Sequence, residues 1–105
     1  MMQGLFDTLT PRLSYLDAAQ VARVEDAFRL ADLAHEGMRR RSGEPYITHP
    51  VAVTRLLADM HLDVDALCAG LLHDTVEDTD VTFEDVEDRF GPVVRRIVEG
   101  ETKIS

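Results

Sequence analysis

Leu71-Leu72-His73-Asp74-Thr75-Val76-Glu77-Asp78-Thr79 places a histidine and three carboxylates directly after two leucines. Upstream, Leu67 and Cys68 complete an apolar stripe with Leu71 and Leu72, so the spacing predicts a helix from about Val64 to Val76, its first half held in a core. On a helix His73 and Glu77 lie at i and i+4, as do Asp74 and Asp78, while Asp74 and Glu77 are three apart. Two carboxylates thus sit one turn beyond a His-Asp pair on overlapping faces. Imidazole nitrogen with carboxylate oxygen is a donor set for Mn²⁺, Fe²⁺ or Zn²⁺. Further carboxylates near such an ion can orient and deprotonate its water. A half-buried His paired with Asp, followed by a frayed acidic helix end, is the simpler arrangement. Two features weigh against it. Acids at a helix C-terminus oppose the macrodipole unless something positive is near. A second histidine, His49, opens the preceding helix, where the packing can bring it to His73.

Working outward, the rest of the chain is also helical in period, with no convincing alternation of period two. Asp17 and Gln20 have the spacing of a capping box. After them Val21, Val24, Phe28, Ala31 and His35 recur at three- and four-residue steps, predicting a long helix to about Met38. A shorter helix is expected before it, roughly Leu5 to Ser14. Arg39 to Thr48 contains Ser42-Gly43 and Pro45 and reads as a loop. A helix then starts near His49-Pro50, with Val53, Leu56, Leu57 and Met60 as its expected buried face. Thr82 can cap a short helix through Arg89 with Gly91 as its stop, and Pro92 can open another carrying Val93, Val94, Ile97 and Val98. The expected class is all-α with short connections, in one domain over 1–105. His35, on the inner stripe of the long helix, reads as a core residue, His61 as surface, and Cys68 as a small core side chain.

Composition narrows the function. The 105 residues carry 20 acids against 11 bases, a formal charge of −9, which argues against non-specific DNA binding. One cysteine excludes an intrachain disulfide framework and a cysteine-based zinc cluster. No apolar run is long enough for a membrane span, and the first residues lack the pattern of a signal peptide, so a cytoplasmic protein is expected. Charge is also segregated. Asp59 to Asp88 holds 11 acids and no Lys or Arg, whereas Arg39-Arg40-Arg41 gathers bases. The acidic run reads as a solvated face or the surroundings of a divalent cation. The arginines read as helix C-terminal charge or an anion pocket.

The segment Ala34-His35-Glu36-Gly37-Met38-Arg39-Arg40-Arg41-Ser42-Gly43-Glu44-Pro45-Tyr46-Ile47-Thr48-His49-Pro50, together with His73-Asp74-Thr75-Val76-Glu77-Asp78-Thr79, resembles the HD-type hydrolase domain of the RelA/SpoT homologue family. The resemblance runs from about Leu16 to the last residue. It implies an HD-domain helical bundle and removal of pyrophosphate from the ribose 3′ position of (p)ppGpp, giving GDP or GTP. It further implies His49, His73 and Asp74 as metal ligands, with Mn²⁺ the usual ion, and Glu77 and Asp78 as the acidic pair that helps activate water. Arg40, Arg41, Ser42 and Tyr46 match the loop that holds the guanine nucleotide.

The ending Val98-Glu99-Gly100-Glu101-Thr102-Lys103-Ile104 resembles the long family members, which implies downstream synthetase and regulatory domains as partners. The family's fourth ligand is an Asp on a later helix, and no Asp follows Asp88. A bundle truncated on its C-terminal side is therefore expected, with weak metal binding, poor hydrolysis and exposed apolar surface. The alternatives are a stand-alone small alarmone hydrolase, a non-catalytic nucleotide-sensing module and a phosphohydrolase for another nucleotide. The Glu77-Asp78 pair speaks against the sensing module.

Overall fold

Asp17 begins the longest helix as the sequence pattern requires. Its carboxylate accepts the Gln20 amide at 2.8 Å, and the Gln20 side chain accepts the Asp17 amide at 3.0 Å. The computed structural model describes residues 2–104. Its elements are α1 (Gln3–Leu9), a 3-10 turn (Thr10–Leu13), α2 (Ala18–Ala34), α3 (Thr48–Asp59), α4 (Val64–Leu72), α5 (Thr75–Asp78), α6 (Phe83–Phe90) and α7 (Pro92–Ile104). Among the described residues there is no strand, only an isolated antiparallel bridge between Arg39 and Pro45. The expected all-α bundle is what the chain forms.

The centre of the bundle is α4. Its residues Leu67 to Leu72 are all buried, because α2, α3 and α7 pack around it. A helix apolar on every side has to be enclosed in this way. From α2 come Val24, Ala27, Phe28 and Ala31, from α7 Val94 and Val98, and Phe6 of α1 meets Phe28 with ring centroids 5.3 Å apart. At Gly70 a Cβ would lie 2.8 Å from Leu57 Cδ1 and 3.1 Å from Thr54 Oγ1, so glycine lets α3 and α4 approach closely. Thr82 and Asp85 form a second capping box at α6, which ends at Gly91 with φ +94°, a value L side chains rarely adopt.

Four expectations shift. The long helix ends at Ala34, not near Met38, and the chain turns through Gly37 at φ +83°. The Arg39–Arg41 run therefore lies beyond the helix and does not act as its terminal charge. The buried face of α3 is rotated from the expected one. Val51, Thr54 and Ala58 are buried, whereas Leu56 is 65% and Met60 67% exposed. Thr54 tolerates burial because its hydroxyl donates to the Pro50 carbonyl at 2.8 Å. Finally, the predicted Val64–Val76 helix is two pieces. The His73 ring reaches back to the Gly70 carbonyl at 2.6 Å and closes α4, so His73 and Asp74 form the joint before α5. Val93 is 46% exposed and stands outside the stripe of Val94, Ile97 and Val98.

Candidate metal centre and anion pocket

The joint after α4 and the first turn of α3 place three donors together. Ligand atoms of His49, His73 and Asp74 all lie within 4.8 Å of one another. Asp74 Oδ2 is 3.0 Å from His73 Nε2 and 4.0 Å from His49 Nε2. The Gly70 carbonyl can only accept, so His73 Nδ1 donates to it and Nε2 is left facing Asp74 Oδ2 at 3.0 Å. Nitrogen and oxygen at that distance need a proton or a cation between them. Burial lowers the His49 pKa below its ordinary value, the Arg40 and His73 charges push the same way, and Asp74 opposes them. A neutral His49 keeps its lone pair for a metal. The donor set and its electrostatics fit a divalent transition ion.

The loop from Arg39 to Pro45 borders this group and is a small hairpin. The Arg40 amide donates to Glu44 O at 2.9 Å, the Gly43 amide to Arg40 O at 2.8 Å, and the Tyr46 amide to Met38 O at 3.0 Å. Arg39 spends its guanidinium on the Gly43 carbonyl at 2.7 Å. Arg40 and Arg41 form no ion pair among the described residues. With Ser42, Tyr46, His49 and Asp74 they line an open cavity of about 560 Å³. Two unpaired guanidinium groups beside a metal-type donor set suit a polyanion.

Tyr46 joins the two halves. Its hydroxyl donates to Asp78 Oδ2 at 2.8 Å and lies 3.2 Å from Asp74 Oδ2. Burial, then the Asp78 hydrogen bond and the Asp74 charge, hold the phenol well above its usual range, so it keeps its proton. Its ring stacks on His35, centroids 4.4 Å apart and planes 7° from parallel. Spacing along the chain gave no hint of these contacts, which span 28 and 32 residues.

Of the residues singled out from sequence, His49, His73 and Asp74 converge, Arg40, Arg41, Ser42 and Tyr46 line the adjoining cavity, and Asp78 reaches it through Tyr46. Glu77 is exposed on α5, outside the donor group and the cavity lining. His35 is buried and His61 exposed, as expected. Cys68 is fully buried, and burial above all pushes its thiol up to about 12, so it belongs to the core.

Residues 27–105 match the HD domain family. The chain belongs to that family. Within the HD-domain family it is of the RelA/SpoT type. It is 50% identical over 101 residues to the bifunctional (p)ppGpp synthase/hydrolase SpoT of Escherichia coli (strain K12), covering 95% of this chain and 14% of that protein. It is 58% identical over 104 residues to a chloroplastic RSH1 of Oryza sativa subsp. japonica, covering 98% of this chain and 12% of that one. The chain thus spans a small part of the length of these relatives. A solved structure, a metazoan orthologue of SpoT described as hydrolysing ppGpp, superposes with a TM-score of 0.69 at 39% identity, covering 74% of this chain and 46% of that one. No helix among the described residues is long and apolar enough to cross a membrane.

Proposed function

We propose that this chain is a metal-dependent 3′-pyrophosphohydrolase unit acting on (p)ppGpp. One observation carries the proposal: two members of a two-histidine, one-carboxylate donor group, His49 and Asp74, line a cavity with two unpaired arginines, and a buttressed carboxylate stands beside it. His49, His73 and Asp74 are the proposed ligands and Mn²⁺ the proposed ion. Such an ion supplies charge neutralisation at a phosphoryl oxygen and a lower pKa for its water.

The chain's own residues would do the remainder. Arg40 and Arg41 bind the phosphates by charge-assisted hydrogen bonds, and Ser42 and Tyr46 border the nucleotide. Asp78, held by Tyr46, takes a proton from the attacking water, with Glu77 as the second member of the acidic pair. Water adds at the phosphorus bonded to the ribose 3′ oxygen and that P–O bond breaks; its electron pair goes to the 3′ oxygen, which takes up a proton to become the 3′-hydroxyl of GDP or GTP, and the two phosphates leave as pyrophosphate. A synthetase unit is the proposed companion, as in the relative named a bifunctional synthase/hydrolase. The proposed compartment is the cytoplasm, where the lone Cys68 stays reduced.

The test is turnover of ppGpp with Mn²⁺, followed as pyrophosphate release, alongside Mn²⁺ titration. Asp74→Ala removes the carboxylate donor from the group, so both metal binding and hydrolysis should be lost. Normal turnover by this variant would sink the ligand assignment.

A further inference from the structure

Tyr46 holds two carboxylates of the site, so whatever fixes its ring also acts on the chemistry. That role falls to His35. The imidazole is 3% exposed at the end of α2, and its Nδ1 donates to the Ala31 carbonyl at 2.8 Å. Its face lies flat against Tyr46. His35 Nε2 has no hydrogen-bond partner among the described residues, so the ring contributes a fixed flat surface. Tyr46 also borders two cavities. On one side is the anion pocket; on the other is a space of about 270 Å³ bounded by His35, Tyr46, Met38, Ile47 and Asp32. Without the imidazole, nothing stacked on the phenol would keep it from sinking toward that space. Its hydroxyl would then leave Asp78 Oδ2 and the Asp74 oxygen that faces both histidines.

We propose that His35 is a positioning residue, holding Tyr46 in the orientation from which its hydroxyl bridges Asp74 and Asp78. This rests on the hydrolase reading above for its kinetic consequence, but not for its structural one. It predicts that the phenol is an orienting donor before it is a wall for the nucleotide.

Tyrosine emission in the metal-free protein tests the structural part. The chain has two tyrosines and no tryptophan, so emission reports Tyr15 and Tyr46 alone. A phenol bonded to a carboxylate emits weakly. Wild type should therefore emit like Tyr46→Phe, and His35→Ala should emit more strongly than either. His35→Phe keeps a flat ring and should stay at the wild-type level. A rise in His35→Phe equal to that in His35→Ala would trace the quenching to the imidazole and overturn the proposal.

Turnover tests the catalytic part. His35→Ala should lower kcat about tenfold with KM within about twofold, and His35→Phe should recover most of it. In a Tyr46→Phe background His35→Ala should add nothing, because both act through one hydroxyl. Multiplying losses, or a KM effect alone, would overturn the assignment. Absence of ppGpp turnover both in this chain and in a longer polypeptide that adds the expected fourth ligand would instead refute the hydrolase reading, and emission would still decide whether His35 orients Tyr46.

Discussion

At the scale of single residues, Asp74 Oδ2 carries the most. It faces two imidazoles and a phenol, so no neighbouring side chain can be altered without changing its surroundings. Arg40 acts on the same group from a distance, because its charge helps to keep His49 below its ordinary pKa of 6.5. Arg40→Ala should raise KM for ppGpp more than it lowers kcat, since the lost contact is to the ground-state anion. It should also move the acid limb of Mn²⁺ binding. With Arg40 gone the His49 pKa rises toward 6.5, protons compete with metal at higher pH, and affinity falls away earlier on acidification. Mn²⁺ titrations across the acid range check this. An unmoved limb would mean that Arg40 is screened from His49.

At the scale of helices, α3, which carries His49, and α4, which leads into His73 and Asp74, are spaced by Gly70. A methyl group there meets Leu57 Cδ1, which can swing away, and Thr54 Oγ1, which is buried and bonded to Pro50. Gly70→Ala should cost about 1–3 kcal/mol of stability and weaken Mn²⁺ binding, by pushing His49 on α3 away from His73. Denaturant unfolding and metal titration read the two effects, and an unaltered unfolding midpoint would show that the contact yields freely. The same region marks where sequence reading succeeds and where it stops. The Asp17–Gln20 capping box, the Thr82 cap, Gly91 and the α4 stripe were legible, because each is a local pattern with one physical meaning. The orientation of α3 was not. Large apolar Leu56 and Met60 outweigh Thr54 in any hydropathy count, yet Thr54 bonds its own helix and the missing Gly70 side chain draws α4 onto that face. The break at His73 depends on a side chain capping its own helix, which periodicity does not register. Likewise the convergence of His49 with His73 and Asp74 was expected, but Tyr46 as the bridge between acids was not.

At the scale of the whole molecule, the acidic run divides by task. Asp59 pairs with Arg12, Asp65 with Arg23 and Glu87 with Arg95, while Asp63 caps α4 and the Asp85 carboxylate accepts the Thr82 amide at the start of α6. Asp74 and Asp78 are set apart from these at the site. With a net charge of −9 the protein repels anions in general, and the guanidinium groups of Arg40 and Arg41 supply a local field that reverses this. Global stability has its own reporter in Cys68, which sits in α4 with its thiol pushed up to about 12. The reactive thiolate is therefore scarce at pH 8, and the side chain is enclosed. Labelling by a disulfide reagent should be negligible in the native protein and should follow global unfolding as denaturant rises. Rapid native labelling would mean that the centre of the bundle opens on its own.

The hairpin after α2 has a consequence of a different kind. Its closing bonds come from main-chain groups and from Arg39; none uses the side chain of Arg41 or Ser42. Those two tip residues can be exchanged as a cassette without disturbing the turn, the helices or the ligands behind it. Selection can therefore retune charge and shape at the mouth of this cavity while the donor group behind it is inherited unchanged.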